Sequence, residues 1–314
     1  MTTNRTSRTL RAMVMIPAAM LVVTGVAVAT AVAPSPSPSP SARGAGTRGA
    51  TAARATDGTV RVLYAGSLED VMNASIGPAF HRATGYTFSG FPAGSKDLAS
   101  DIKGKVEEGD VFISASPKVN AALEGRKNGG WVSWYAPFVT TRLVLGYNPS
   151  SSFAGDLRSK PWYQVITEPS FRLGFTDPTL DPKGVLAVTA LDTAATRYND
   201  PALKQVATDQ NNLFPEQDLV GRLQAGQLDA GFLYPVEASA AKIPTVSLGS
   251  IDETATYTIT VLSRASNPAG AESFVKFLLS SKGMRLLEKV GLATRRPVAR
   301  GSGVPPLLNT VIKR

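Results

Sequence analysis

The sequence contains no cysteine and only one histidine, His81, among its 314 residues. The absence of cysteine excludes disulfides, thiolate metal sites, cysteine nucleophiles and a lipid anchor attached through cysteine. A Ser-His-Asp triad would have to use His81. His81 precedes Arg82 on a helix face that we expect to be exposed, so we interpret it as a solvated side chain. We therefore predict that the protein is not an enzyme.

Positive charge is concentrated near the N-terminus. The net charge is +9, and the first sixty residues contain six Arg and one Asp. The rest of the chain balances 27 basic against 23 acidic residues and shows no basic stripe interleaved with aromatic residues. We therefore expect no nucleic-acid partner.

Residues 1–33 have the pattern of a secretory signal peptide or an N-terminal membrane anchor. Three arginines precede an uncharged apolar run at 12–33 that is long enough to span a bilayer if it is not cleaved. Residues 34–58, rich in Pro, Ser and Ala, are typical of a disordered linker. Whether or not residues 1–33 are cleaved, the pattern predicts an extracytoplasmic protein. The protein would be secreted, or it would be tethered to the outer face of the membrane only through residues 1–33.

Beyond residue 58, short β-like runs alternate with helical runs, which favours an α/β architecture. The strands are predicted at 60–64, 86–91, 111–114, 143–147, 172–175, 230–233 and 255–261. Apolar residues at helical spacing predict helices at 68–83, 184–198, 217–225 and 269–279.

Two short turns, Gly66-Ser67 and Gly94-Ser95, each connect a predicted strand to a predicted helix. Glycine permits close approach of a ligand, and serine is favoured at the N-cap of a helix. Because helix N-termini carry free N–H groups and a partial positive charge, two converging turns of this kind predict an oxyanion site. Ordinary helix capping by serine is the alternative interpretation.

The order of motifs resembles the molybdate/tungstate class of periplasmic-type solute-binding proteins, the ligand-capturing components of ABC importers. The resemblance covers residues 60–291 and rests on Tyr64-Ala65-Gly66-Ser67-Leu68, Ala93-Gly94-Ser95, Gly109-Asp110-Val111-Phe112-Ile113-Ser114-Ala115, Leu143-Val144-Leu145-Gly146-Tyr147-Asn148-Pro149, Asp177-Pro178-Thr179-Leu180-Asp181-Pro182-Lys183-Gly184, Gly226-Gln227-Leu228-Asp229-Ala230-Gly231-Phe232-Leu233-Tyr234 and a closing helix pair at 271–291.

The resemblance implies an α/β fold of the type II periplasmic-binding-protein kind, with the ligand in a cleft between two lobes. Two crossing strands, near 141–147 and 251–261, would join the lobes. Lobe 1 would comprise residues 59–140 plus 250–314, and lobe 2 residues 141–249.

The same resemblance implies which residues bind the ligand. Ser67 and Ser95 would donate hydroxyl hydrogen bonds to molybdate or tungstate, assisted by backbone amides of Gly66 and Gly94, and Tyr234 would also contact it. In one branch of the family two carboxylates coordinate the metal centre directly, and Asp181 and Glu216 occupy the matching positions. No cofactor is implied beyond this bound ligand.

Structural interpretations of the three polar residues at 181, 216 and 234 remain open. Asp181 followed by proline is an ordinary helix start, an acidic residue at 216 suits the first turn of a helix, and Tyr234 suits a core position. The sequence also departs from that branch at Lys183 and Glu237. Lys183 either supplies a positive charge at the rim or points to solvent, and Glu237 either faces solvent or alters the pocket.

These observations predict a monomeric extracytoplasmic receptor that captures molybdate or tungstate and delivers it to an ABC permease and its ATPase. A receptor of the same fold for sulfate, phosphate or an organic anion is the first alternative. An exported hydrolase or a surface adhesion module is the second.

Overall fold

The computed structural model describes residues 58–313. The predicted signal or anchor at 1–33 lies outside the described residues, as does the predicted linker at 34–58 except for Gly58. Within the described part of the chain, no helix is both long enough and apolar enough to cross a membrane.

Twelve strands are described between Thr59 and Gly301. They are β1 (Thr59–Ala65), β2 (Thr87–Ala93), β3 (Val111–Ser114), β4 (Trp134–Arg142), β5 (Val144–Tyr147), β6 (Leu173–Thr176), β7 (Leu213–Phe214), β8 (Ala230–Leu233), β9 (Thr245–Ser247), β10 (Thr254–Val261), β11 (Ala293–Thr294) and β12 (Arg300–Gly301).

Twelve α-helical segments accompany them in the described residues. They are α1 (Glu69–Val71), α2 (Gly77–Thr84), α3 (Ser95–Gly104), α4 (Pro117–Ala121), α5 (Ala154–Ser159), α6 (Trp162–Val165), α7 (Pro182–Tyr198), α8 (Ala202–Thr208), α9 (Glu216–Gln224), α10 (Pro235–Ala240), α11 (Pro268–Leu278) and α12 (Ser281–Glu288).

The helical run predicted at 68–83 is present, but a π-helical segment, Met72–Ile76, separates α1 from α2. Gly77 accordingly donates its N–H to the carbonyl of Met72, five residues back. Pro78 follows, and because proline has no N–H and clashes with the carbonyl four residues before it, a wider turn accommodates it.

The strands form two separate sheets. The first has the order β11-β4-β10-β3-β1-β2, with β12 also paired to β4. In it, β1 runs parallel to both β2 and β3, whereas β10 is antiparallel to β3 and β4. The carboxyl ends of β1, β2 and β3 therefore meet at one edge, which is where an α/β sheet offers a ligand site.

The second sheet has the order β7-β6-β8-β5-β9. Strand β6 runs parallel to β7 and β8, so these three strands also end at one edge. Helices α7, α9 and α10 begin just after these ends. We call the part of the chain built on the first sheet lobe 1 and the part built on the second sheet lobe 2.

The chain crosses between the sheets twice, as the resemblance implied. It leaves lobe 1 between β4 and β5 and returns between β9 and β10. The two crossings touch, because the N–H of Leu143 donates to the carbonyl of Glu253 at 2.7 Å. The predicted two-lobe α/β fold with crossing strands is confirmed.

Candidate functional site

The two Gly-Ser turns of lobe 1 follow neighbouring parallel strands, β1 and β2. Neither serine caps a helix, so the alternative interpretation of ordinary capping is wrong: no side-chain cap is made at either start, and Gly94 rather than Ser95 occupies the N-cap of α3. Ser67 Oγ lies 2.8 Å from the hydroxyl of Tyr257 on β10, and Ser95 Oγ accepts from the N–H of Ala115 at 3.0 Å. Both hydroxyls are thus held at the sheet edge by tertiary contacts.

Asp181 lies at the matching edge of lobe 2, where it is the N-cap of α7 ahead of Pro182. Its Oδ1 accepts hydrogen bonds from the N–H of Lys183 at 2.8 Å and from the hydroxyl of Thr176 at 3.0 Å. The helix start expected from the Asp-Pro pair is therefore present, and the carboxylate is fixed in orientation.

A buried lysine joins the starts of three helices in lobe 2. Lys183 is only 1% exposed, and its ammonium Nζ lies 3.1 Å from Glu216 Oε1. The same Nζ lies 2.7 and 2.9 Å from the two carboxylate oxygens of Glu237. Glu237 Oε1 also accepts from the N–H of Tyr234 at 2.7 Å. Of the alternatives left open by the sequence, exposure of Lys183 or Glu237 to solvent is wrong.

Burial and pairing act in opposite directions on this cluster. Burial lowers the pKa of Lys183, but the neighbouring carboxylates of Glu216 and Glu237 outweigh it, so the pKa lies above its ordinary value and the ammonium stays charged. Burial raises the pKa of Glu216 well above its ordinary value, and Lys183 offsets only part of that rise. Glu237, with the two shorter contacts, is the main partner of the ammonium.

Two buried polar atoms in the site have no hydrogen-bond partner. One is the hydroxyl of Tyr234, whose side chain packs edge-on to Tyr257 with ring centroids 6.2 Å apart. Burial raises the pKa of Tyr234 well above its ordinary value, so the hydroxyl keeps its proton and remains a donor. The other is Glu216 Oε2, which lies 3.0 Å from Lys183 Nζ without the geometry of a hydrogen bond. Unpartnered buried polar atoms are rare and call for an explanation, of which a ligand is one.

The predicted residues of the two lobes meet in pairs. A Cβ added to Gly66 would lie 2.5 Å from Glu216 Cγ, and one added to Gly94 would lie 3.4 Å from Asp181 Cβ. The N–H of Ser95 donates to Asp181 Oδ2 at 3.3 Å. The structure therefore brings all seven predicted site residues to the junction of the lobes, with Tyr257 linking Ser67 to Tyr234.

The first amides of α3 hold the lobes together. The N–H groups of Lys96 and Asp97 donate to the carbonyl of Leu180 at 2.9 and 3.0 Å, and Lys96 Nζ donates to the carbonyl of Pro178 at 2.6 Å. Gln217 Nε2 adds a bond to the carbonyl of Pro92 at 3.1 Å. The cleft is therefore closed by the chain's own groups.

A groove of about 580 Å³ adjoins this junction and is lined by both lobes. Its lining includes Ala115 and Pro182, the neighbours of residues described above, and three lysines, Lys96, Lys103 and Lys118. Clefts lined by one sign of charge raise the local concentration of the opposite ion. Within residues 58–313, no group of three or more acidic, His or Cys side chains is arranged to hold a metal ion.

Residues 60–293 match the family model described as bacterial extracellular solute-binding protein. The chain belongs to this family. It is 27% identical over 276 residues, covering 76% of the chain and 85% of the relative, to an uncharacterized solute-binding protein of Petrotoga mobilis. It is 26% identical to the molybdate/tungstate-binding protein WtpA of Pyrococcus abyssi, and that match covers 51% of the chain and 61% of WtpA.

The fold has a counterpart among solved structures in the periplasmic molybdate-binding protein of Azotobacter vinelandii. The TM-score is 0.57 at 18% identity, and the superposition covers 74% of the chain and 98% of the Azotobacter protein. Membership of a family of solute-binding proteins makes the chain a binding component and not an enzyme, as the sequence predicted.

Sequence reasoning missed one residue of the site and left the roles of two others open. Tyr257 was recognised only as part of a β-like run, although it touches both Ser67 and Tyr234. For Lys183 and Glu237 the sequence leaves exposure to solvent open beside a role at the rim or in the pocket, and does not predict that they pair with each other. A signal was available in their placement, because Lys183 directly follows Pro182 and Glu237 stands two residues after Pro235, and each proline opens a helix at the carboxyl end of a strand.

Proposed function

We propose that this solute-binding protein captures a tetrahedral oxyanion, molybdate or tungstate, between its lobes and delivers it to an ABC permease. The observation that carries the proposal is the unpartnered, fully buried hydroxyl of Tyr234 at the lobe junction, beside the Ser67–Tyr257 hydroxyl pair. An oxyanion presents acceptors only, so neutral hydroxyl donors suit it. The name of the Pyrococcus relative supports this choice of ligand.

The proposed site combines donors from lobe 1 with polar groups from lobe 2. It comprises Gly66, Ser67, Gly94, Ser95, Asp181, Glu216 and Tyr234. Ligand contacts with both lobes would stabilise the closed arrangement relative to the open one, and closure would be a hinge motion at the crossing strands. Nothing in this cycle changes the ligand chemically.

We also propose that the folded body acts outside the cytoplasm as a monomer and needs no cofactor. In this view residues 1–33 direct export or anchor the chain, residues 34–58 act as the tether, and the two lobes are 59–140 plus 250–314 and 141–249. The permease and its ATPase would be the protein partners.

Calorimetry and thermal unfolding with molybdate, tungstate, sulfate and phosphate test the ligand. A ligand present at 100 times its Kd stabilises the folded protein by about 2.7 kcal/mol. We expect selective stabilisation by molybdate and tungstate. Stabilisation by sulfate or phosphate alone would retain a binding protein of this fold but contradict the proposed ligand, and no response to any of the four would contradict an inorganic oxyanion altogether.

Tyr234→Phe tests the site directly. Removing a hydrogen bond to a charged group costs roughly 1.5–3 kcal/mol, so molybdate affinity is expected to fall about 10- to 150-fold. The ligand-free protein should be as stable as wild type or more so, because the substitution removes an unsatisfied buried hydroxyl. Tyr198→Phe is the matched control, because Tyr198 ends α7 whereas the site lies at the N-terminal end of that helix.

The double variant Ser67→Ala with Ser95→Ala tests the lobe 1 half of the site. Two donors to a charged ligand are lost, so we expect several kcal/mol of binding free energy to be lost with them. Wild-type affinity in this variant would refute the assignment of both serines.

A further inference from the structure

The three donor protons of Lys183 are already committed to the protein. An ammonium has three N–H donors and no acceptor. Lys183 Nζ has Glu216 Oε1 at 3.1 Å and the two oxygens of Glu237 at 2.7 and 2.9 Å. The lysine therefore has no free donor for an anion, and its role is to hold these two carboxylates.

The carboxylate of Asp181 is similarly committed. Its Oδ1 receives bonds from the N–H of Lys183 and the hydroxyl of Thr176, and its Oδ2 receives one from the N–H of Ser95. Each oxygen thus already accepts at least one hydrogen bond. Moving either oxygen to a metal centre would open the start of α7 or the contact between the lobes.

Coordination by Glu216 would carry a similar cost. Its Oε2 has no hydrogen bond, but it lies 3.0 Å from Lys183 Nζ in a site where the side chain is only 4% exposed. A carboxylate that turns to a metal centre would withdraw from the ammonium. Withdrawing one carboxylate from a buried ionic cluster costs stability, and Lys183 would then depend on Glu237 alone for its counter-charge.

We propose that Lys183 keeps Glu216 and, through its backbone amide, Asp181 out of the ligand's coordination sphere, so that molybdate or tungstate is bound as a four-coordinate oxyanion. This inference rests on the proposed function. It departs from the direct coordination by Asp181 and Glu216 that the sequence resemblance implied. Recognition then falls to hydroxyl and amide donors, and Lys183 acts as a positioning residue that neutralises the carboxylates behind them.

X-ray absorption at the molybdenum edge, on the full-length protein loaded with molybdate, tests the inference. Tetrahedral and six-coordinate oxo centres differ in the intensity of the pre-edge feature and in the number of oxygen neighbours. We expect the tetrahedral spectrum, with four equivalent short bonds. A spectrum with additional longer metal–oxygen bonds would overturn the inference while leaving the proposed function standing.

Glu216→Gln provides the second arm, because glutamine keeps the shape of the side chain but is a much poorer metal ligand. We expect an unchanged spectrum, with the same four oxygen neighbours around molybdenum, because Glu216 lies outside the coordination sphere. A changed spectrum, or a loss of affinity beyond about ten-fold, would mean that Glu216 coordinates the metal. Glu168→Gln, a carboxylate beside Lys160 on the surface of lobe 2, is the matched control.

Lys183→Met provides the third arm by removing the counter-charge. The dianion would then face uncompensated carboxylates, so we expect affinity to fall at least about ten-fold. Wild-type affinity and an unchanged spectrum in this variant would overturn the role of Lys183. If calorimetry instead detects no molybdate binding by the wild-type protein, the proposed function itself fails, which is a different result from a six-coordinate spectrum.

Discussion

The substitution Gly94→Ala tests whether the lobes must meet at the start of α3 for ligand capture. Gly94 has φ −56° and ψ 132°, a conformation that any L-residue adopts, so the backbone accepts alanine without strain. The added Cβ would lie 2.8 Å from the carbonyl oxygen of Leu180 and 3.4 Å from Asp181 Cβ. Both neighbours belong to lobe 2, so the clash exists only when the lobes are closed.

The size of the effect follows from where the clash acts. Overpacking a filled contact costs typically about 1–3 kcal/mol. Because the open arrangement does not bear this cost, all of it is subtracted from the free energy of closure and hence of binding. We therefore expect molybdate affinity to fall about 5- to 150-fold, while each lobe keeps its own stability.

Calorimetry measures the affinity, small-angle scattering measures closure, and thermal unfolding checks the fold. The control is Gly221→Ala in α9, where an added Cβ meets no atom within 4 Å. We expect that variant to bind normally and to gain roughly 0.5–1 kcal/mol of stability from the helical alanine. Wild-type affinity together with a closed scattering profile for Gly94→Ala would refute the reasoning, as would an equal loss in the control.

Three further predictions concern charge. Burial raises the pKa of Glu216 above the ordinary value of 4.5. The folded protein therefore still holds a proton on Glu216 at pH values where the unfolded chain has released it. Wild-type stability consequently falls as pH rises through the folded pKa. The Tm of Glu216→Gln relative to wild type should therefore increase with pH in thermal unfolding. Burial raises the pKa of Asp229, but the hydrogen bonds from Arg172 outweigh it and hold the pKa below 3.8. That stabilisation is present above pH 3.8 and lost as pH falls through the folded pKa, so acid titration should narrow the stability difference between Asp229→Asn and wild type. Lys103→Gln combined with Lys118→Gln should slow molybdate association by a factor on the order of 3 to 10 at low salt, and stopped-flow measurements should show the difference shrinking as salt is added.

The regular elements could be predicted from the sequence because their patterns are local. All seven predicted strands occur, shifted by at most two residues at either end. Strand β4 was missed because Pro137 interrupts its apolar run, and proline normally argues against a central strand. In the structure Pro137 sits beside an irregularity in the pairing of β4 with β10, where Phe138 is skipped between two paired residues. Only the tertiary pairing reveals how the sheet accommodates this proline.

The lysine cluster could not be predicted because its partners are distant along the chain. Lys183 lies 33 residues from Glu216 and 54 from Glu237. No residue alone signals burial, because a charged side chain in the first turn of a helix is normally solvated. Their convergence depends on β6, β7 and β8 ending at one edge, which is a property of the strand order. The burial of an ammonium follows from that order rather than from any local motif.

The start of α3 shows why a correct location does not by itself identify the chemistry. From the sequence, its free amides were expected to hold an anion, as helix N-termini commonly do. In the structure the amides of Lys96 and Asp97 donate to Leu180, and that of Ser95 donates to Asp181. These amides therefore stabilise the contact between the lobes. While the lobes stay in contact, anion recognition must rely on other donors. The hydroxyl of Tyr234 is such a donor, because it is buried and has no hydrogen-bond partner. The helix N-terminus then favours binding indirectly, by lowering the free energy of the closed arrangement in which those donors meet the ligand.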